Sequence, residues 1–349
     1  MGRIRRVLVA GALVVGVGVG TGGWAGATTQ EAVTGPPPGT AAWRADRAHG
    51  HPLPDPVTAT PREVASFFGE LSEGRSQELV RRHPGVVGNL DGAPVPLRYE
   101  ANRIALTATH DPRYTRLAAS DRHILAFDPR GRGQVAEVYG ELEHAEHVSV
   151  VVPGSDIDAR TFDRTNDRYG TPAGMAAALR GATHGGVAVI AWVGYTTPVG
   201  VGLDAASGRL AEAGAGRLAR FTEGLDAVGA PDPVLFCHSY GSVVCGLAAR
   251  DKDLDAVDIV ALGSPGMRAD TAAEFGTGAR VWAAKDPSDW IDDVPHVEFA
   301  GLGHGTDPTD PAFGARRVPA ADAVGHTGYF APGTESLRSF AAIALGDVR

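Results

Sequence analysis

The stretch VLFCHSYGS, residues 234–242, decides the fold of this chain. Three apolar residues come first, and Ser239 stands midway between the small residues Cys237 and Gly241. A run rich in small residues follows. A buried strand that turns sharply at a serine into a helix is a nucleophile elbow, and it exposes the serine hydroxyl at the end of a sheet. The stretch therefore predicts Ser239 as a nucleophile.

Alternating strands and helices surround this elbow. The predicted strands are 123–128, 134–139, 148–152, 187–193, 234–236, 258–262, 280–284 and 315–318. The first two form a hairpin, and several of the others are continuous apolar runs, which is typical of parallel strands buried on both faces. The order predicts an α/β fold with a mostly parallel sheet of about eight strands and helices on both faces.

The N-terminal residues 1–27 have the layout of a secretory signal peptide. Arginines precede an apolar run at 7–19, and the small residues AGA at 25–27 offer a cleavage site near Ala27. The run is shorter than the roughly 20 residues that a membrane span needs, although an uncleaved anchor is the alternative. We therefore expect a secreted or cell-envelope protein.

Three further segments follow along the 349 residues. Residues 28–57 are rich in proline and glycine and are expected to be a flexible N-terminus. Residues 58–120 are predicted to form a helical segment, whose first helix begins at a capping box of Thr60 and Glu63. Whether this segment forms a lid is left open. Residues 121–349 are predicted to be the catalytic domain.

The composition excludes some classes of protein. The net charge is -9 and no basic stripe follows the first six residues, so nucleic acid is not an expected partner. No cysteine and histidine cluster has the spacing of a zinc site, and we expect neither metal nor cofactor. Cys237 and Cys245 are predicted to be two buried thiols, with a disulfide as the less favoured alternative.

A serine nucleophile needs a base, and in elbow-containing folds the acid and then the histidine follow the serine in the chain. His326 is favoured as the base because it follows the last predicted strand, and His304 is the alternative. For the acid, Asp289 and Asp286 both follow the strand at 280–284. Asp289 is favoured because the apolar pair Trp290-Ile291 follows it and could return the chain to the core. The neighbouring His238 is expected to point away from the site.

An oxyanion hole should complete such a site. One donor is expected to be the backbone N–H of Tyr240, and the other that of Gly154 or Ser155, which follow the strand at 148–152. The predicted substrate pocket is lined by Tyr195, Met267, Trp290 and His304.

The motifs of the chain, taken in order, resemble an actinobacterial α/β-hydrolase family long catalogued as a domain of unknown function. These motifs are GNLDGAP (88–94), AFDP (126–129), VVPG (151–154), WVGY (192–195), HSYGS (238–242), GSPG (263–266), HGTDP (304–308) and GH…YF (325–330). The resemblance implies the α/β-hydrolase fold and points to Ser239 and His326. Cys237 stands where the family usually has glycine.

The expected function is that of a secreted serine hydrolase that cleaves small-molecule or lipid-like carboxylic esters through an acyl-enzyme on Ser239. An acyltransferase or an amidase would use the same residues. A catalytically inactive, envelope-associated binding protein is the alternative from another class. Association with a membrane and the oligomeric state are left open.

Overall fold

The computed structural model describes residues 29–48, 52–250 and 254–348. The predicted signal peptide, residues 1–27, lies outside the described residues. Within them, no helix has the length and apolar character needed to cross a membrane.

A single sheet of eight strands forms the centre of the molecule, in the order β1-β2-β4-β3-β5-β6-β7-β10. Its strands are β1 (His123–Asp128), β2 (Gln134–Tyr139), β3 (Val148–Val152), β4 (Ala188–Val193), β5 (Val234–His238), β6 (Asp258–Leu262), β7 (Arg280–Ala284) and β10 (Arg316–Arg317). A separate small hairpin pairs β8 (Glu298–Phe299) with β9 (Leu302–Gly303). Only β2 runs against its neighbours, and the six strands from β4 to β10 are parallel. The predicted mostly parallel sheet of about eight strands is confirmed.

Helices cover both faces of the sheet. The helices are α1 (Thr40–Ala45), α2 (Pro61–Gly69), α3 (Glu73–Arg82), α4 (Pro84–Val87), α5 (Val95–Ala108), α6 (Pro112–Thr115), α7 (Pro172–Ala182), α8 (Leu203–Ala206), α9 (Arg209–Ala227), α10 (Gly241–Ala249) and α11 (Glu335–Ala344). Along β3, Val150 packs with α9 and α10, whereas Val151 packs with α7 and α11. Because side chains alternate along a strand, an all-apolar strand supplies both cores. Helices α8 and α9 follow each other closely and are separated only by Ser207 and Gly208.

The N-terminal helices have an apolar core of their own. Helix α2 begins at the capping box of Thr60 and Glu63, as predicted, and its buried Val64 and Phe68 pack against residues of α3 and α4. The structure departs from the expectation that residues 28–57 are flexible. Trp43 is fully buried in this core, and its indole N–H donates to the carbonyl of Pro54 at 2.7 Å. One large aromatic side chain anchors a segment whose composition alone is that of a linker.

The parallel strands all end at the same edge of the sheet. The loops after β3, β5, β6, β7 and β10 carry Gly154, Ser239, Gly263, Asp289 and His326 respectively. Ligands of open α/β sheets bind at this carboxyl edge, so the fold gathers the candidate residues in one place.

Candidate active site

Ser239 occupies a strained turn between β5 and α10. Its φ of 56° lies in the left-handed region, which residues other than glycine rarely adopt. The turn is held by a 2.9 Å hydrogen bond from its own backbone N–H to the carbonyl of Leu262. At Gly241, an added Cβ would lie 2.3 Å from the carbonyl oxygen of Val152, so only glycine fits there. Strain of this kind persists where the surrounding structure enforces it, and it is found at nucleophile elbows.

A disulfide between Cys237 and Cys245 joins the strand before the elbow to the helix after it. The expectation of two buried thiols is therefore corrected. The helix folds back over the strand and brings the two Cα atoms within 6.4 Å, which is within the usual reach of a disulfide. The cysteine that departs from the family pattern thus has a structural partner eight residues along the chain.

His326 and Asp289 form a hydrogen-bonded pair. The imidazole Nδ1 lies 2.8 Å from Oδ1 and 3.0 Å from Oδ2 of Asp289. Asp289 also accepts from the hydroxyl of Tyr329 at 2.6 Å and from the backbone N–H of Ile291 at 2.9 Å. Burial alone would raise the pKa of this carboxyl, but the hydrogen bonds from His326 and Tyr329 outweigh it and lower the pKa. An ionised carboxylate on Nδ1 leaves Nε2 as the atom that can accept a proton.

Asp286 does not contact His326. Its Oδ1 accepts from the backbone N–H groups of Ser288 at 2.8 Å and Gly325 at 3.0 Å, and from the hydroxyl of Ser288. It therefore ties the loop that carries Asp289 to the loop that carries His326. Of the two predicted acids, the structure brings Asp289 to the histidine.

Gly154 lies directly against Ser239. A Cβ added at this glycine would be 2.6 Å from the Cβ and 3.0 Å from the Oγ of Ser239. The turn that carries Gly154 is fixed by Tyr195, whose hydroxyl donates to the carbonyl of Pro153 at 2.6 Å. Ser155, half-buried, follows on the same turn. The predicted oxyanion-hole residues Gly154 and Ser155 therefore belong to a turn that lies against the nucleophile.

Three of the four predicted pocket residues are buried and unavailable to a substrate. Met267 is fully buried in the core beside α10, and Tyr195 is 2% exposed. The Nε2–H of His304 donates to the carbonyl of Ala205 at 2.7 Å, and its ring packs nearly perpendicular to that of Tyr240. Burial lowers the pKa of His304 to about 4, so it is a neutral structural group rather than an alternative base. Trp290 is 45% exposed and its ring lies 4.6 Å from that of His326, so it alone is available at the site.

His238 and Tyr329 are part of the site although no role was predicted for them. The His238 ring does not point away: its centre lies 4.7 Å from that of His326, and its Nε2 contacts the His326 carbonyl at 2.7 Å. Burial lowers the pKa of His238 to about 3. Tyr329 lies three residues after His326, and this spacing was the available signal in the sequence. A short helical turn at 328–330 brings its hydroxyl to Asp289.

One group of side chains has ligand types suited to a cation. Asp292, His296 and Asp307 present atoms within 4.8 Å of one another. The ammonium of Lys285 lies 2.5 Å from Asp292 and 2.6 Å from Asp307 and balances their charge. These carboxylates are therefore accounted for by an ion-pair network.

The mostly parallel eight-stranded sheet and the sharp turn at Ser239 define an α/β-hydrolase fold, and comparison with known proteins agrees. Residues 128–299 match a family model described as alpha/beta hydrolase. Two curated relatives are the uncharacterized proteins MT2140 and Rv2079 of Mycobacterium tuberculosis strains CDC 1551 / Oshkosh and ATCC 25618 / H37Rv. The alignment with each relative is 376 positions long, covers 84% of this chain and shows 30% identity. The chain spans only 57% of the length of these relatives.

Solved structures with similar chain folds are also found. A dienelactone hydrolase from Anabaena variabilis is 15% identical with a TM-score of 0.38, over 61% of this chain and 90% of that one. XC6422 from Xanthomonas campestris, described as an α/β serine hydrolase without lid, is 16% identical with a TM-score of 0.37, over 66% and 95%.

Proposed function

We propose that this chain is a serine hydrolase that cleaves carboxylic esters through an acyl-enzyme on Ser239. The observation that carries the proposal is the arrangement at the carboxyl edge of the sheet. Ser239 occupies a left-handed turn, and the ring of the preceding residue, His238, lies 4.7 Å from that of His326. Nδ1 of His326 is held by the buried carboxylate of Asp289. This is the set of groups that acyl transfer requires, in the chain order of the fold.

The reaction follows from the role of each group. Ser239 Oγ attacks the acyl carbon while Nε2 of His326 takes its proton, and Asp289 stabilises the imidazolium that forms. The N–H groups of Tyr240 and of Gly154 or Ser155 stabilise the oxyanion. The imidazolium then protonates the leaving alcohol, and water, activated by the same histidine, releases the acid and restores Ser239.

Exposed apolar side chains near the site favour an apolar acyl group. Trp290 follows Asp289, and Val324, 79% exposed, lies two residues before His326. Phe299 and Leu302 are exposed on the β8–β9 hairpin, and Leu302 forms a β-bridge with Ser207, which lies between α8 and α9. Large exposed apolar residues that surround a polar site are typical of surfaces that bind apolar ligands. We therefore expect lipid-like esters to be better substrates than short ones.

The decisive experiment labels the purified protein with a fluorophosphonate probe. The wild-type protein should be labelled and Ser239→Ala should not, while Ser66→Ala, which alters an exposed serine of α2, should be labelled like wild type. A panel of p-nitrophenyl esters of increasing acyl length then ranks substrates. Folded wild-type protein that resists the probe, or labelling that persists in Ser239→Ala, contradicts the proposal.

We also propose that the protein is exported and that residues 1–27 are removed. The disulfide at the elbow supports this, because disulfides persist in oxidising compartments and are rare in the cytosol. Expression of the full chain in an exporting host, followed by N-terminal mass spectrometry, should find a mature terminus near residue 28. An intact N-terminus on the recovered protein would contradict the proposal.

A further inference from the structure

A second polar cavity lies away from Ser239, between the β1–β2 hairpin, the N-terminal segment and helix α9. Its volume is about 240 Å³. At ~30 Å³ for each molecule of liquid water, it has room for about eight waters or for one small organic molecule. Thr34, Pro37 and Val57 from the N-terminal segment cover it. None of Ser239, Asp289 and His326 lines it.

The charged side chains around this cavity are mostly cationic. Six charged residues line it: Asp91, Arg98, Asp128, Arg130, Arg217 and Arg220. Four arginines thus face two aspartates, in a chain whose net charge is -9. Local cationic charge in an acidic protein favours the binding of anions from solution.

The two aspartates do not satisfy all of the arginines. Asp128 is held by Arg130 at 2.5 Å. Asp91 is 3.2 Å from Arg98 and 3.8 Å from Arg220. Arg217 has no carboxylate partner among the residues that the structure describes.

Arg217 keeps the end of its side chain available. Its Nε donates to the carbonyl of Gly194 at 2.6 Å, and among the described residues its two terminal nitrogens make no hydrogen bond. Burial lowers the pKa of this guanidinium, although the residue is only partly buried. A guanidinium with two free terminal nitrogens suits a carboxylate or phosphate, which it can bind through two parallel hydrogen bonds.

Gln134 supplies the second, independent observation. It lines the same cavity and is only 4% exposed, yet neither its amide oxygen nor its amide nitrogen has a hydrogen-bond partner. Buried polar groups are nearly always hydrogen-bonded, because a buried amide without partners destabilises the folded protein. Water does not reach these amide atoms in this conformation, so a ligand that satisfies both the amide and Arg217 requires the Gln134 side chain to turn toward it.

We propose that this cavity is a binding site for a small organic anion, with Arg217 holding its carboxylate or phosphate group and Gln134 an adjacent polar group. The proposal is independent of the reaction at Ser239. The site is connected to it nonetheless, because Arg217 is bonded to Gly194 and the next residue, Tyr195, fixes the turn that carries Gly154.

The experiment is isothermal titration calorimetry of the full chain with inorganic phosphate and with L-malate, against sodium chloride at equal ionic strength. We expect saturable binding of at least one of these anions. Arg217→Met should weaken it by about tenfold or more, since a charge-assisted pair is lost. Arg62→Gln removes the same charge from an exposed arginine of α2 and should change affinity by less than about twofold.

Two further variants keep the test decisive. Gln134→Met removes the unpartnered amide at similar volume and should weaken binding even if Arg217→Met does not fold. Ser239→Ala should bind the anion like wild type, so failure of the hydrolase proposal leaves this result unaffected. Binding of phosphate alone or malate alone identifies the group that is recognised. The absence of saturable binding by both anions, or equal losses in Arg217→Met and Arg62→Gln, overturns the proposal.

Discussion

Replacing Gly154 by alanine should disable Ser239 without unfolding the protein. The added Cβ would lie 2.6 Å from the Cβ of Ser239, whereas carbon atoms in contact normally lie about 3.5–4.0 Å apart. The serine or the turn that carries residue 154 must therefore move by about 1 Å. A displacement of this size at reacting groups costs about a hundredfold in rate.

The assay is the second-order rate of fluorophosphonate labelling, with circular dichroism as the check on folding. Gly181→Ala is the matched control, because a Cβ at this position of helix α7 meets nothing within 4 Å. The control should label at the wild-type rate and be slightly more stable, since alanine is favoured in helices. Gly154→Ala that labels as fast as Gly181→Ala would refute the placement of this turn against the nucleophile.

Three other predictions follow from the contacts of the site. Asp289→Asn should slow labelling by about 10⁴-fold, because an amide at this position favours the wrong histidine tautomer. Asp286→Asn keeps the oxygen that accepts from Gly325 and should slow labelling by less than about tenfold. Burial lowers the pKa of His238 from 6.5 in the unfolded chain to about 3 in the folded protein. The free energy of unfolding is therefore highest above pH 6.5 and decreases as the pH falls toward 3, because the unfolded chain binds the proton first. Between pH 7 and pH 5 the loss is about 2 kcal/mol in urea unfolding, and His238→Asn should remove that part of the pH dependence. The double variant Cys237→Ala/Cys245→Ala should lower the free energy of unfolding by about 2–3 kcal/mol, because the disulfide closes a loop of eight residues.

Each of these expectations has a result that contradicts it. Equal losses in Asp289→Asn and Asp286→Asn would mean that the carboxylate contact does not set the histidine tautomer. A stability profile of His238→Asn with the wild-type slope below pH 6.5 would mean that His238 is not buried as a neutral group. Unfolding of the double cysteine variant at the wild-type denaturant midpoint would show that the crosslink adds nothing to the elbow.

The site combines strain with redundant support. Ser239 is held in its turn by Leu262, while Asp289 receives hydrogen bonds from His326, Tyr329 and Ile291. Several contacts that each contribute about 1 kcal/mol can maintain one unfavourable backbone conformation. We therefore expect single supporting variants to affect labelling rate more than stability.

Much of the fold could be predicted because its signals are local. Apolar runs bounded by glycine and proline gave the strands within one or two residues, and the elbow at Ser239 followed from five consecutive residues. The prediction of His326 used only chain order after the last strand. Such patterns are visible in sequence because a buried parallel strand and a sharp turn each restrict the residues that form them.

Contacts between distant segments could be decided only by the tertiary structure. The sequence favoured Asp289 but left Asp286 open, because the pairing of Asp289 with His326, 37 residues away, depends on how two loops meet. The composition of residues 28–57 is that of a linker, although the backbone N–H of Gln30 donates a hydrogen bond to Asp204, which is 174 residues further along the chain. Gln134 and Arg217 share a cavity for the same reason. The sequence determined strands, helices and the nucleophile, because short-range sterics and periodicity fix them. It left open the partners of buried charges, since these depend on the three-dimensional packing of segments far apart in the chain.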